Sequence, residues 1–231
     1  MIDAAAACNP ALAELIGRHG LRRGCAQALQ PALATRHSEL DACLPGGGLP
    51  RGALTEVLAQ PRCCGELRLL LPQLAQTNKR IAVIDPPHPP YAPALAHAGV
   101  QLARLLVVRA DTAATNLWAA EQLLRSPLFG AVLCWTCAPS TAVRRLQVAA
   151  EAGGGVGLLY GQKQPATTAA LRLAVTPLAS GVQVCVQKCR GPAGAVVDCI
   201  WDESRFFPPH ASRLTPHVPD VALPAPTKLR A

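Results

Sequence analysis

The chain has 231 residues, of which 50% are hydrophobic and 16% are charged, and its formal net charge is +8. This length suits one α/β domain with a buried core and is short for two, and the hydrophobic content excludes a chain that is disordered throughout. The positive charge favours acidic partners such as nucleic acid or an acidic protein face. The even spread of the basic residues also fits a solvated basic surface.

Membrane insertion is not expected from this sequence. No stretch approaches the run of about 18 apolar residues that a membrane span requires, and the N-terminus lacks a charged start before an apolar run. We therefore expect a cytoplasmic protein.

The first 35 residues are predicted to form a short helical arm. Asn9 and Pro10 are residue types preferred at the N-cap and at the first position of a helix, and an apolar stripe with helical spacing follows them. Residues 36–204 are predicted to form the core. Residues 205–231 are rich in proline, histidine and basic side chains, which is typical of a flexible tail.

From residue 54 onward, short apolar runs alternate with longer amphipathic stretches, which is typical of βα units. The predicted strands cover residues 54–58, 81–84, 105–108, 131–135 and 156–160. The predicted helices cover residues 66–76, 91–97, 113–124 and 141–151. Because continuous apolar strands need cover on both faces, we expect a mostly parallel central sheet flanked by helices. An antiparallel meander closing one edge is predicted for residues 171–176, 182–187 and 196–201.

The ten cysteines are expected to be small core residues, because a reducing compartment keeps thiols from pairing. One alternative is a four-thiolate zinc site. It would combine Cys134 and Cys137 with a second pair, Cys185 and Cys189. Cys134 lies in an apolar run and Cys185 alternates with valines, so buried strand positions are favoured over metal ligands.

The run over residues 40–57, LDACLPGGGLPRGALTEV, resembles the stretch that leads into the phosphate loop of RecA-like ATPases. Its Leu-Pro-Gly-Gly-Gly form is similar to the ImuA family. The glycines suit a tight turn before the first strand, because glycine adopts positive φ angles at little cost. The resemblance implies a RecA-like core of the P-loop-NTPase type, from about residue 35 to about residue 202.

The resemblance also implies a phosphate loop, and the residues at its working positions have changed. Such a loop holds phosphate with backbone N–H groups, neutralises charge with a lysine and binds magnesium through a Ser or Thr hydroxyl. The corresponding stretch begins at Ala59 and keeps the loop glycine at Gly65. Glu66 stands at the lysine position and Leu67 at the hydroxyl position. Arg62 is the alternative cation, although an arginine at a loop crest fits a solvated charge better.

Two further positions of the RecA machinery are altered. The strand that should end in a magnesium-supporting aspartate reads Val-Leu-Cys-Trp over residues 132–135. The segment from Asp85 to His88 resembles the place where RecA keeps its water-activating glutamate, and Pro87 stands at that position. General-base catalysis requires a titratable group, and phosphoryl transfer depends on positioning and charge neutralisation. We therefore expect a pseudo-ATPase that is not an enzyme and that holds neither a nucleotide cofactor nor a metal ion.

Three remnants of nucleotide sensing can be matched. Gln162 matches the γ-phosphate-sensing glutamine of RecA, while Lys188 and Arg190 match basic positions that reach a neighbouring protomer's nucleotide. Without a nucleotide these residues have nothing to sense. The favoured interpretations are a polar loop residue for Gln162 and a basic strand end for Lys188 and Arg190. Lys188 and Arg190 remain candidates for an old protomer-facing surface that binds a partner.

The two DNA-binding loops of RecA correspond to residues 136–141 and 161–168. Arg144, Arg145 and Lys163 are the basic residues close to them, and no aromatic side chains alternate with these residues for base stacking. We expect at most weak contact with nucleic acid phosphates.

The ImuA resemblance implies an accessory protein of SOS-induced, error-prone translesion DNA synthesis. Its implied partners are an ImuB-like inactive polymerase homologue, the ImuC error-prone polymerase and, as a further candidate, RecA. The protein is expected to act through docking, in the cytoplasm and at the nucleoid when recruited to DNA damage. The predicted N-terminal helix and the tail offer docking segments, and Pro208, Lys228 and Arg230 are the tail's candidate contacts.

Two other functions stay open at this point. A SulA-like inhibitor of cell division, which binds FtsZ, shares the reduced RecA-like core, so the fold does not separate it from an ImuA-like protein. The long run over residues 40–57 favours ImuA. A working ATPase is the third hypothesis, and the altered loop positions oppose it.

Overall fold

Ten strands and five α-helices form the part of the chain that the computed structural model describes, which comprises residues 31–59, 65–161 and 167–201. The strands are β1 (Ala32–Leu33), β2 (Leu49–Pro50), β3 (Ala53–Ala59), β4 (Arg80–Ile84), β5 (Leu105–Val108), β6 (Phe129–Cys134), β7 (Val156–Gly161), β8 (Leu171–Leu178), β9 (Gly181–Lys188) and β10 (Val196–Ile200). The helices are α1 (Ser38–Cys43), α2 (Glu66–Gln76), α3 (Ala92–His97), α4 (Ala113–Arg125) and α5 (Ser140–Gly153). Residues 1–30 of the predicted helical arm, and the predicted tail over residues 205–231, lie outside the described residues. Residues 32–33, which were predicted as part of the arm, form the strand β1.

The central sheet has eight strands in the order β10-β9-β8-β3-β7-β6-β4-β5. Strands β8, β3, β7, β6, β4 and β5 pair in parallel, whereas β8, β9 and β10 pair antiparallel. This arrangement confirms the predicted mostly parallel sheet with an antiparallel C-terminal edge. β8 belongs to both parts, because it is parallel to β3 on one side and antiparallel to β9 on the other.

The helices cover the two faces of the sheet. Parallel strands are joined by right-handed crossovers, so connections that run in opposite directions along the sheet place their helices on opposite faces. The chain runs through α2 and α3 toward β5 and returns through α4 and α5 toward β7, which places the two pairs of helices on opposite faces. Alternate residues of each strand therefore meet different helices. On β4, Ala82 and Ile84 belong to the core packed against α4 and α5.

Local signals in the sequence set the ends of several helices. α4 begins after Thr112, whose hydroxyl accepts a hydrogen bond from the backbone N–H of Thr115 at 3.2 Å. α5 ends at Gly153 and is capped by Gly154, which adopts a left-handed φ of 72°. None of the helices in the described ranges has both the length and the apolar character that crossing a membrane requires.

The glycine run before β3 works as a tight turn. Gly46 and Gly47 have φ angles of 84° and 75°, which side chains other than glycine adopt at a cost. At Gly48 a Cβ atom would overlap the backbone of Leu33, because the turn brings β1 against β2. The turn was predicted from the sequence, whereas the short β1–β2 ribbon and α1 were not.

Gln147 links α5 to β3 and to the residue before β8 through hydrogen bonds of its side chain. It lies on α5 with 7% of its surface exposed. Its side-chain oxygen accepts hydrogen bonds from the backbone N–H of Leu54 at 3.0 Å and from that of Ala170 at 3.2 Å. Its amide nitrogen donates to Glu151 at 2.8 Å. One side chain thus fixes α5 to the start of β3 and to the residue before β8, because buried N–H groups need an acceptor.

A buried ion pair links the central strand to its neighbour. Glu56 on β3 lies directly opposite Arg172 on β8, and the Nε of Arg172 donates to the carboxylate of Glu56 at 2.8 Å. The two side chains are 6% and 9% exposed. Loss of one partner alone would leave a buried charge, which typically costs about 3–5 kcal/mol.

We predict that Gln147→Met lowers the free energy of unfolding by about 2 kcal/mol. Methionine keeps the length of the side chain but removes the acceptor for the N–H of Leu54, and a buried donor left without a partner costs about 1–3 kcal/mol. The N–H of Ala170 keeps a second acceptor, the carbonyl of Leu54, at 3.1 Å. Urea denaturation followed by circular dichroism measures the change. Gln122→Met on the exposed face of α4 is the matched control and should change stability by less than about 0.5 kcal/mol. Equal stability of the two variants would contradict the role assigned to Gln147.

Candidate functional site

The position of a phosphate loop is preserved between β3 and α2. Ala59 ends β3, Gly65 precedes α2, and Glu66 is the first residue of the helix. A strand followed by a helix is the structural context in which a phosphate loop occurs. Residues 60–64, including Arg62, lie outside the described residues.

Glu66 places a carboxylate in the first turn of α2, where it is partly buried. The N-terminal end of a helix carries partial positive charge and favours anions, including phosphate groups. Here the helix supplies its own anion at this end. Leu67 follows as an aliphatic, partly buried side chain that cannot bind a metal.

Gly65 has a packing role in this structure. A Cβ atom at Gly65 would lie 2.6 Å from Cγ1 of Val182 and 3.2 Å from the indole ring of Trp201. Trp201 packs there because its ring lies under the guanidinium of Arg68, 4.9 Å from the ring centroid, and meets His37 edge to face. The close approach of Trp201 and Val182 therefore accounts for glycine at this position without any phosphate.

An aromatic pair lies at the carboxyl ends of two neighbouring strands. Trp135 follows β6 and Tyr160 lies near the end of β7, and their rings stack with centroids 4.2 Å apart and planes 4° apart. In a RecA-like ATPase, the carboxylate that supports the metal ion is expected at the end of the strand that corresponds to β6. Trp135 stands at this position here. After β4, Pro87 is exposed at the position that the resemblance assigns to the water-activating glutamate, and Asp85 adopts a φ of 50°.

The four cysteines considered for zinc do not come together. Within the described ranges, no three His, Cys, Asp or Glu side chains are grouped as a metal site would require. Cys134 is buried, and burial raises the pKa of its thiol. The thiol of Cys189 lies 3.2 Å from the carbonyl of Pro192 in the turn before β10. The zinc alternative is therefore wrong, and Cys134 occupies the buried strand position that the sequence favours.

The basic residues singled out from the sequence have separate surroundings. The ammonium of Lys188 donates to the carbonyl of Thr167 at 2.7 Å, and Arg190 is exposed after β9. On α5, Arg145 forms an ion pair with Glu121, which also binds Arg125, while Arg144 is exposed. Their partner-binding and nucleic-acid roles stay predictions. The remaining candidates lie outside the described residues: Gln162, Lys163, Pro208, Lys228 and Arg230.

A cavity of about 550 Å³ opens beside the aromatic pair. Its walls come from α2, α3, the facing sides of β3 and β4, and the proline-rich residues 86–91. Among its described lining residues, Glu66 is the one carboxylate, and there is no lysine or arginine. Cavities of about 300–1,000 Å³ commonly bind ligands. This cavity was not predicted from the sequence, although the aromatic residues at two adjacent strand ends were a usable signal.

Tyr160 is deeply buried, and burial together with the nearby negative charge of Glu66 raises its pKa well above the ordinary value. Its hydroxyl has no hydrogen-bond partner among the described residues. The folded state therefore keeps the proton at a pH where the unfolded chain releases it. Stability is lost as the pH rises above the unfolded value, near 10, toward the folded value.

We predict that Tyr160 ionises only when the protein unfolds. In Tyr91→Phe, Tyr160 is the single tyrosine left in the chain. Its tyrosinate absorbance at alkaline pH should rise together with the loss of the circular dichroism signal. The same variant in concentrated urea serves as the control and should titrate near pH 10. Complete ionisation near pH 10 with an intact fold would contradict the burial of this side chain.

Comparison with known proteins identifies the relatives of this fold. No model of a protein family matches the sequence. Two strains of Caulobacter vibrioides have a protein named ImuA that is 32% identical over 138 residues, which covers 56% of this chain and 57% of ImuA. The chain thus spans little more than half the length of these relatives. The cell division inhibitor SulA of Edwardsiella piscicida is 31% identical over 137 residues, covering 57% of this chain and 81% of SulA.

A solved structure supports the architecture. The RadB recombinase superposes with a TM-score of 0.59 at 17% sequence identity, covering 72% of this chain and 94% of RadB. This likeness confirms the predicted RecA-like fold class. The sequence relatives, of which SulA is covered to 81%, show that the chain belongs to the family of SulA- and ImuA-like proteins.

Proposed function

We propose that this protein is an accessory factor of SOS-induced, error-prone translesion DNA synthesis and that it works without hydrolysing ATP. The family relationship to ImuA supports a role in the response to DNA damage. The observation that carries the absence of ATPase activity is Glu66 in the first turn of α2, at the position where a phosphate loop needs a lysine.

Electrostatics argue against a bound triphosphate at this helix. The triphosphate carries several negative charges, and at a partly buried site a like charge within a few ångströms costs on the order of several kcal/mol. Leu67 offers no hydroxyl to a magnesium ion, and Trp135 replaces the supporting carboxylate. Because phosphoryl transfer depends on charge neutralisation and positioning, the loss of these parts together removes the catalytic machinery.

The proposed activity is docking to other proteins. The partners are an ImuB-like inactive polymerase homologue and the ImuC polymerase, with RecA as a further candidate. Lys188 and Arg190 are the proposed contacts within the described residues. DNA contact is weak or indirect, since Arg145 is already paired with Glu121 and Arg144 is the exposed charge on that stretch of α5. Nucleoid association follows from recruitment by these partners.

A SulA-like role is the second candidate, because the match covers 81% of the SulA sequence. In that role the chain would bind FtsZ and inhibit cell division. The two candidates share the fold and differ in their partner, so a binding experiment separates them.

We predict that wild-type protein shows no saturable binding of magnesium ATP below millimolar concentration. Isothermal titration calorimetry measures this, with RecA as the positive control. Pro87 and Trp135 remain in Glu66→Ala, so this variant should still lack ATPase activity. Micromolar binding by the wild type that Glu66→Ala abolishes would contradict the proposed pseudo-ATPase.

We predict that the tagged full chain retains ImuB when the two proteins and ImuC from the same genome are co-expressed. Co-purification followed by gel filtration measures the complex. FtsZ, tested in the same way, is the comparison and should not be retained. Retention of FtsZ without ImuB would overturn the translesion role in favour of the SulA-like one.

A further inference from the structure

We propose that the face shared by α4 and α5 binds an acidic segment of a partner protein, which packs an apolar side chain against Trp118 and places a carboxylate between Arg125 and Arg145. This inference rests on the proposed docking function and gives it a further surface with a partner of stated chemistry. Its support comes from the exposed tryptophan, from the two arginines held beside it and from the charge of the two helices.

Trp118 is an exposed tryptophan on α4. Tryptophan is a highly buried residue type on average, and here 59% of its surface is exposed. The side of α4 that packs into the core carries Ala120 and Leu124 instead. Val148 on α5, which is 53% exposed, is a second large apolar side chain on the outside of this pair of helices. Tryptophan is enriched among the few residues that contribute most of the binding energy at protein interfaces, so its indole suits contact with a partner.

Glu121 brings two arginines to the side of α4 that carries Trp118. Glu121 is 8% exposed, and its carboxylate accepts a hydrogen bond from Arg125 at 3.0 Å and a second one from Arg145 of α5. Trp118 lies one turn before Glu121 and Arg125 one turn after it, so helical spacing places all three on the same side of α4. Val148 lies one turn after Arg145 along α5. The indole and the two guanidinium groups therefore border one surface.

The two arginines are held in place and remain accessible. Although both contact Glu121, the side chains of Arg125 and Arg145 are 53% and 64% exposed. A guanidinium group has five N–H donors, so one contact with Glu121 leaves donors for a second carboxylate. A side chain that is already fixed loses less conformational freedom when a partner binds. The pair is therefore preorganised to bind a carboxylate from outside.

The charge of the two helices favours an acidic polypeptide over a nucleic acid. Both helices lie wholly within the described residues, and together they carry three arginines and two glutamates. Glu151 already accepts a hydrogen bond from Gln147 at 2.8 Å. The excess of one positive charge matches a single carboxylate beside an apolar side chain. A nucleic acid strand requires a row of cations along its phosphates, and the carboxylate of Glu121 within the surface opposes it.

The test uses two blocked tetrapeptides as probes, acetyl-Asp-Leu-Phe-Asp-amide and acetyl-Lys-Leu-Phe-Lys-amide. Both are titrated into the isotope-labelled full chain and followed by two-dimensional NMR. The indole N–H signal of Trp118 is identified by its loss in Trp118→Phe. The acidic peptide is expected to shift this signal in a saturable way and to bind about 3- to 10-fold more tightly than the basic peptide.

A matched pair of aromatic variants locates the binding. Trp118→Ala should weaken binding of the acidic peptide at least about fivefold, because it removes the apolar contact. Tyr91→Ala removes another exposed aromatic side chain, which is 70% exposed, and should leave the binding unchanged. A thermal melt of each variant confirms that it is folded. The comparison of the two peptides on the wild type gives an answer that does not depend on any variant.

Two charge variants should act in opposite directions. Arg145→Gln should weaken binding of the acidic peptide about 2- to 5-fold, because it removes one exposed cation, whereas Arg144→Gln on the same helix is the control and should change it less than about twofold. Glu121→Gln should strengthen the binding, because the surface then carries one more unit of positive charge. A purely structural role of these residues would not give an increase.

Several results would overturn the proposal. They are the absence of a saturable shift at Trp118, equal binding of the two peptides, and binding that Trp118→Ala does not affect. An oligothymidylate that shifts the Trp118 signal at lower concentration than the acidic peptide would assign the surface to nucleic acid instead. Failure of the proposed function is distinguishable, because ImuB can co-purify through another surface when the peptides do not bind, and the acidic peptide can bind when ImuB is not retained.

Discussion

The first turn of α2 directs the positive end of a helix toward the carboxyl edge of the sheet, and Glu66 supplies a negative charge at this point. In a P-loop protein the same helix end is left open for phosphate. Much of the site follows from this substitution. The helix end is electrostatically satisfied within the chain, and the space beside it is bounded by aliphatic, aromatic and proline side chains.

Several contacts that stabilise the fold lie within the chain and involve no nucleotide. Gln147 fixes α5 to β3 and β8, and the core under α4 and α5 is continuous. Gly65 is held by its contact with Trp201 and Val182. These contacts hold the strand and the helix on either side of residues 60–64 without a phosphate group.

The order and type of the main elements could be predicted from the sequence, since the apolar runs of β3 to β7 and the amphipathic helices are local signals. α2 was predicted with the same bounds, 66–76, that the structure has. The pairing of β8 with β3 was not predicted, because it joins segments more than a hundred residues apart and no local pattern encodes it. The contacts of Gln147 were missed for the same reason, because they join α5 to segments distant in the sequence. The candidate site residues were identified from the family resemblance and not from their spacing in the sequence.

The ion pair between Glu56 and Arg172 has a consequence for how this family can diverge. Each residue is tolerated in the interior only because the other neutralises it, so a sequence that loses one charge gains from losing the second. Position 56 on β3 and position 172 on β8 should therefore change together in evolution. Among homologous sequences, these two positions are expected to be either both charged or both apolar.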